Sequence, residues 1–257
     1  MSIKLQEITW EITPKCDKDC SYCGSLQIAK DDHLVEKDLL AVAESIAAYK
    51  VPEVNISGGE PATLHIALFN KVLEVLHDGG CLIKIITNGL LLKKWDQYVN
   101  ADRIKAVGWS INTVEDTEQP LIDHVLSDGA DSSDIDNSLA YPHVTMITNF
   151  GTHNVFDFET LFECAKKFPT WQVQLTQGEY QLPMQGIDYL YKKLAKVKNP
   201  PCKIVIADNL QVEHNCSAGM QTCGVSYKGE VVGCLSERSW VEGGGFLETY
   251  GNLPMLE

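Results

Sequence analysis

The sequence predicts an α/β fold: six strands alternating with helices, curled as a partial (β/α)6 TIM-type barrel, followed by a small C-terminal β-hairpin module. Three observations predict it. Apolar residues switch back and forth between strand-like and helix-like spacing along the chain. The run Leu82–Ile86 reads as a strand buried on both faces, as in a parallel sheet. Polar and glycine-rich segments fall at the ends of the strands, where β-α sheets carry their active groups.

Ile8, Trp10 and Ile12 alternate, so Glu7 to Ile12 is the first strand. After a cysteine-bearing loop, Leu39, Val42, Ala43, Ile46 and Ala47 form one face of a helix within His33 to Tyr49. Val51 to Ile56 is the second strand and ends in Ser57-Gly58-Gly59-Glu60-Pro61. Leu68, Val72, Val75 and Leu76 mark the next helix, closed by Gly79-Gly80. Leu82 to Ile86 is the third strand and ends at Thr87-Asn88-Gly89. A short helix from about Leu90 to Val99 leads to a fourth strand, Ile104 to Ile111. Asn112 to Tyr141 reads as a loop with one or two weak helical turns. Val144 to Thr148 is the fifth strand. Phe158, Leu161, Phe162 and Ala165 give a helix stopped before Pro169. Trp171 to Leu175 is the sixth strand, and Ile187, Leu190, Tyr191, Leu194 and Val197 form a helix ending before Pro200-Pro201. The barrel then occupies 1–198 and the module 199–257. Val225 to Val232 reads as a hairpin turning at Lys228-Gly229.

Composition narrows the function classes. The chain has 257 residues and a formal charge of −14. No Lys or Arg occurs between Ala106 and Ala165, whereas acidic residues recur from Glu115 to Glu163. Phosphate neutralisation needs basic residues, so no nucleic-acid partner is expected. The acidic sector is a solvated face, or it meets a basic peptide or amine. No apolar run reaches membrane-spanning length, so no membrane partner is expected. The start of the chain has neither the basic residues nor the apolar core of a signal peptide. Nine cysteines without such a signal point to metal or redox use in the reducing cytoplasm.

Cys16, Cys20 and Cys23 stand at Cys-x3-Cys-x2-Cys spacing, with Tyr22 just before the last. Short-spaced cysteines hold iron–sulfur clusters or zinc, and a zinc loop with one distant ligand stays open on this spacing alone. Gly58-Gly59-Glu60 ends the next strand, where glycines permit close backbone approach and a carboxylate can fix an ammonium group. Together these two motifs resemble the signature of the radical SAM (S-adenosylmethionine) superfamily.

That resemblance implies a 4Fe–4S cluster on Cys16, Cys20 and Cys23, with its fourth iron site open to S-adenosylmethionine. It implies cofactor contacts from Tyr22, Gly58, Gly59, Glu60 and Asn88, and ribose contacts from Ser110 and Asn112. Asn112 stands where aspartate is commoner. Thr87-Asn88-Gly89 reads equally well as a strand-to-helix turn. In the C-terminal third, Cys216, Cys223 and Cys234 around the hairpin resemble the auxiliary-cluster region of twitch and SPASM modules. A second 4Fe–4S cluster is therefore implied, with Cys202 or the substrate as a further ligand. Zinc or free thiols are the alternatives at these positions. Cys81 and Cys164 read as buried small hydrophobes.

The activity so implied is reductive cleavage of S-adenosylmethionine to a 5′-deoxyadenosyl radical, which abstracts a substrate hydrogen. An external flavodoxin- or ferredoxin-like protein would donate the electron. Two substrates fit: a peptide undergoing crosslink or thioether formation, or a small molecule such as an aminocyclitol or sugar undergoing dehydrogenation. A non-catalytic metal-binding or electron-transfer protein is the reading of another class, and Gly58-Gly59-Glu60 has no place in it.

Overall fold

The computed structural model describes residues 5–23, 36–98, 101–119, 121–128, 143–207, 210, 221–233 and 249–252. They fall in two compact units, Met1–Val107 with Ser217–Glu257, and Gly108–Cys216.

The first unit is built on a mostly parallel sheet. β1 (Glu7–Thr13) lies between β2 (Glu53–Gly58) and β8 (Thr222–Val225), and β3 (Leu82–Thr87) pairs on the far side of β2. All these pairs are parallel. β9 (Glu230–Val232) and β10 (Thr249–Asn252) extend the β8 side as antiparallel neighbours. β4 (Ile104–Ser110) carries the chain across the division between the units. Register aligns Ile8, Val54 and Ile83 in one row and Trp10, Ile56 and Ile85 in another. These side chains are buried.

α1 (Glu36–Ala48) packs against α2 (Ile66–Asp78), and α2 packs against β3. Burying each large apolar side chain contributes about 1.5–3 kcal/mol. On α2 the buried stripe is Phe69, Val72, Leu73 and Leu76, one helical face. Leu68 and Val75, expected in that stripe, are only partly covered. The opposite sheet face is polar. Glu7 pairs in register with Glu53, Thr9 with Asn55, and Asn55 with Lys84. Lys84 donates to the Glu53 carboxylate. β3 is therefore not buried on both faces: Lys84 interrupts its apolar run, and Leu82 is 51% exposed.

α3 (Leu90–Lys93) is only four residues long, and a single 3-10 turn, Trp95–Gln97, completes the helix expected there. The hairpin forms as read. The Gly229 N–H donates to the Ser226 carbonyl, and Gly229 adopts φ 78°.

The second unit contains α4 (Val114–Thr117) and α5 (Leu121–Asp128), the helical turns expected in the acidic sector. Next come β5 (His143–Phe150), α6 (Phe158–Ala165), β6 (Thr170–Leu175), α7 (Met184–Lys196) and β7 (Lys203–Ile206). β5, β6 and β7 are parallel neighbours. β7 escaped the sequence reading because four residues after Pro200-Pro201 are too few to show a period. Phe150, Phe158, Phe162 and Trp171 pack as one aromatic cluster. The Trp171 Nε1–H donates to Thr148 Oγ1 at 3.0 Å, satisfying the indole inside that core. Among the described residues, no helix is long and apolar enough to cross a membrane.

Candidate functional site

The cysteine loop begins at an irregularity in the sheet. Glu11 pairs with Ser57 and Thr13 with Gly58, so Ile12 is an extra residue on β1. Such bulges bend a strand and redirect the chain beyond it. The Lys15 N–H donates to Thr13 Oγ1 at 3.2 Å. The end of β2 then grips the turned chain. The Gly59 N–H donates to the Thr13 carbonyl at 2.6 Å, and the Glu60 N–H to the Lys15 carbonyl at 2.7 Å. A Cβ on Gly59 would lie 2.0 Å from the Lys15 oxygen. Gly58 adopts φ +126°, a conformation side chains rarely take. The close approach that these glycines permit is made to the loop's own backbone.

Glu60 is fully buried. Its Oε1 accepts the Ala62 N–H at 3.1 Å and the Thr87 hydroxyl at 2.9 Å. Its Oε2 accepts the Asn88 N–H at 2.7 Å. Burial pushes the carboxyl up to about 7, against the pull of those donors, and the nearby Asp17 raises it further. The sequence places Thr87 in the Thr87-Asn88-Gly89 segment but assigns its hydroxyl no role of its own. Its signal was a hydroxyl ending a strand beside Asn-Gly. In the structure its Oγ1 also accepts the N–H groups of Gly89 and Leu91.

Asn88 forms the strand-to-helix turn that its place in the sequence implied. Its Oδ1 accepts the Leu90 N–H at 3.1 Å, which makes the turn into α3. Its Nδ2 reaches Asp17 Oδ1 at 2.7 Å and Cys16 Sγ at 3.6 Å. The Lys18 N–H donates to the same sulfur at 3.4 Å. Cys16, Lys15, Glu60 and Asn88 thus form a closed ring of contacts.

Cys16, Cys20 and Cys23 form no disulfide and are partly exposed, and the Tyr22 side chain is partly exposed too. A turn closed by the Cys23 N–H on the Cys20 carbonyl, at 3.0 Å, brings the last two together along the chain. Burial raises the Cys16 thiol, while the Lys18 N–H opposes that shift. Among the described residues, no three His, Cys, Asp or Glu side chains are gathered closely enough to hold a metal ion. The donor chemistry nonetheless fits an iron–sulfur cluster. Three cysteine sulfurs stand on one irregular loop, and ligand gathering is work that metal binding itself supplies.

Ser110 and Asn112 belong to the second unit. Ser110 ends β4 and is partly buried. Asn112 is 6% exposed and sits in a network of carboxamides. Its Oδ1 accepts the Asn149 N–H at 2.7 Å and Asn149 Nδ2 at 3.3 Å. Asn149 Oδ1 accepts Gln174 Nε2 at 2.6 Å, and Gln174 Oε1 accepts Gln172 Nε2 at 3.2 Å. Asn154, buried, donates to the carbonyls of Asn112 at 2.7 Å and Asn149 at 2.9 Å. Alternation along β6 marks Gln174 as a residue that could face the interior, whereas Asn149 and Asn154 carry no signal in the sequence. Single asparagines at strand ends are too common to stand out.

The C-terminal cysteines divide between the units. Cys202 is buried at the start of β7 in the second unit. Cys223 lies on β8 in the first, in register with Ile8. Burial raises both thiols. Cys216 and Cys234 lie outside the described residues. Cys81 and Cys164 are buried, as the sequence implied.

The chain resembles known proteins in sequence and in fold. The chain is 29% identical over 121 residues to GTP 3′,8-cyclase of Staphylococcus epidermidis, a match covering 44% of this chain and 35% of the relative. GTP 3′,8-cyclase of Staphylococcus aureus matches at 29% over 127 residues. The chain thus spans about a third of the length of these curated relatives. Among solved structures, Streptococcus suis SuiB bound to precursor peptide SuiA superposes with a TM-score of 0.68 at 13% identity. That match covers 97% of this chain and 64% of SuiB. AnSMEcpe with bound AdoMet and Cp18Cys peptide gives a TM-score of 0.65 at 14% identity, over 97% of this chain and 77% of that one. The fold is accordingly the partial TIM-type barrel of such enzymes. Residues 10–163 match the Radical SAM superfamily, a span that holds the cysteine loop, Glu60, Asn88 and Asn112. The chain belongs to the radical SAM superfamily, as an enzyme whose cofactors are a 4Fe–4S cluster and S-adenosylmethionine.

Proposed function

We propose that the chain oxidatively modifies a peptide, forming a crosslink or thioether, with Cys16, Cys20 and Cys23 as ligands of the cluster that binds S-adenosylmethionine. The observation that carries this reading is the hydrogen-bonded seating of the cysteine loop on Gly59 and Glu60, with Asn88 reaching back to Cys16. When bound, cluster and S-adenosylmethionine supply a hydrogen-abstracting radical through one-electron cleavage of the sulfonium. The protein's own part is to orient and to shield. Gly59 and Glu60 fix where the loop begins. Glu60 ties that start to the end of β3 through Thr87 and Asn88. Ser110 and Asn112 are the proposed ribose contacts, and Tyr22 the proposed aromatic neighbour of the cofactor. Peptides bound by SuiB and anSMEcpe favour a peptide over a small molecule.

The C-terminal module is the proposed seat of a second 4Fe–4S cluster. Cys216, Cys223 and Cys234 are its ligands, with Cys202 or the substrate completing the set. A flavodoxin- or ferredoxin-like protein is the proposed electron donor, and the cytoplasm the proposed compartment.

Anaerobic purification and then iron and sulfide analysis test the cofactor set. About eight irons per chain are expected for two such clusters, and about four remove the second. With dithionite and S-adenosylmethionine, the chain should form 5′-deoxyadenosine, and Cys20→Ala should form none. Incubation with candidate peptides and with aminocyclitols, read by mass loss of two hydrogens, decides the substrate. Turnover of the small molecule alone overturns the peptide reading.

A further inference from the structure

Asn88 holds its two polar atoms in fixed and opposite commitments. Its Oδ1 accepts the Leu90 N–H, a backbone donor that cannot be exchanged for an acceptor. The amide is thereby locked in one orientation, with its Nδ2 hydrogens toward the cysteine loop. Those hydrogens meet Asp17 Oδ1 at 2.7 Å and Cys16 Sγ at 3.6 Å. The main chain of Asn88 is anchored too, because its N–H is held by Glu60 at 2.7 Å. Donor and sulfur belong to strand ends that are 72 residues apart in sequence but tied through one buried carboxylate.

We infer that Asn88 is a positioning and tuning residue for Cys16, donating a hydrogen bond to its sulfur that raises the reduction potential of the cluster this loop carries. The inference rests on the cluster reading above. A hydrogen bond to a ligating sulfur draws charge from it and favours the reduced, more negative cluster. Asp17 works against that effect, and Asn88 offsets it by engaging the carboxylate. The Asp17 carboxylate lies 3.9 Å from the Cys16 sulfur and accepts the Asn88 amide. Removing the amide therefore takes away a donor and leaves that carboxylate less engaged beside the sulfur. Both changes lower the potential.

The experiment uses full-length chain carrying Cys223→Ala and Cys234→Ala, so that only the N-terminal cluster is titrated. Potentiometric titration read by electron paramagnetic resonance compares this protein with its Asn88→Ser and Asn88→Asp forms. Serine keeps a short acceptor for the Leu90 N–H but cannot span to Cys16. Aspartate keeps the shape and the acceptor but has no donor. At the midpoint of the unsubstituted protein, the reduced-to-oxidised ratio should fall about tenfold in Asn88→Ser, about 59 mV for one electron. It should fall further in Asn88→Asp. Lys71→Gln, which breaks an exposed pair with Glu36, should leave the midpoint unchanged. A midpoint in Asn88→Ser equal to or above that of the unsubstituted protein overturns the proposal. If a variant takes up less iron, its loaded fraction still reports the midpoint, which does not depend on occupancy. Absence of any cluster in the unsubstituted protein would instead overturn the cluster reading itself.

Discussion

At the end of β3, a buried carboxylate collects donors from three places: the Ala62 N–H, the Thr87 hydroxyl and the Asn88 N–H. At the ends of β4 and β5, carboxamides do comparable work. Asn154 donates to the carbonyls of Asn112 and Asn149, and Asn112 accepts from Asn149. Both devices clip together segments distant in sequence. They differ in charge. A carboxylate only accepts when ionised, so it suits a cluster of N–H and O–H groups, and it suffers when desolvated. A carboxamide donates and accepts without charge, so it suits strand ends that present carbonyls and N–H groups side by side. The first junction is therefore tied to pH and the second is not.

The strongest way to break the comparison is Glu60→Ala. It strands buried donors that have no route to water, and should destabilise the first unit by about 3–5 kcal/mol, read by urea unfolding at pH 5. A loss below about 1 kcal/mol would mean that the donors find other partners.

The next test concerns pH. Burial raises the Glu60 carboxyl from 4.5 to about 7 in the folded chain, so folding favours its protonated form. Its contribution to stability is complete below pH 4.5. It is lost as pH rises toward 7, a decline on the order of 3 kcal/mol that flattens above it. Glu60→Gln, which cannot ionise, should remove this slope between pH 4.5 and 7. Urea midpoints for both proteins across that window check it, and parallel curves would refute the assignment.

Asn154→Leu should cost about 2 kcal/mol, because two carbonyls and the Gly151 N–H lose a buried partner. Unlike the Glu60 effect, this loss should be the same at pH 5 and pH 8. Gln174→Leu is the mildest change. It removes two partly buried bonds, one to Asn149 and one from Gln172, and should cost about 1 kcal/mol, measured as a shift in thermal midpoint.

Much of the fold and part of the site are legible in the sequence. The helix face at Leu39, Val42, Ala43 and Ile46 is buried as its spacing implied. The hairpin at Lys228-Gly229 forms because glycine accepts the positive φ that the turn requires. The cysteine spacing and Gly58-Gly59-Glu60 together pointed to the family that the chain belongs to. Less legible was how the site is held. Gly59 reads as a ligand-facing glycine, yet the atom it must avoid is the Lys15 carbonyl oxygen. Glu60 reads as an ammonium ligand, yet its carboxylate is engaged by Thr87, Asn88 and Ala62. The addition of β8 alongside β1 was equally hidden, since nothing in a four-residue strand announces a partner more than two hundred residues earlier.

The amino-acid sequence by itself determined the order and type of the elements and the donor set of the cysteine loop. Both depend on local spacing, which the chain carries wherever it goes. Only the tertiary structure decided which atoms Gly59, Glu60 and Asn88 would meet. Those partners come from the ends of other strands. Parallel strands place their ends side by side only after the intervening helices have packed, so hydrogen bonds between them are a product of the fold.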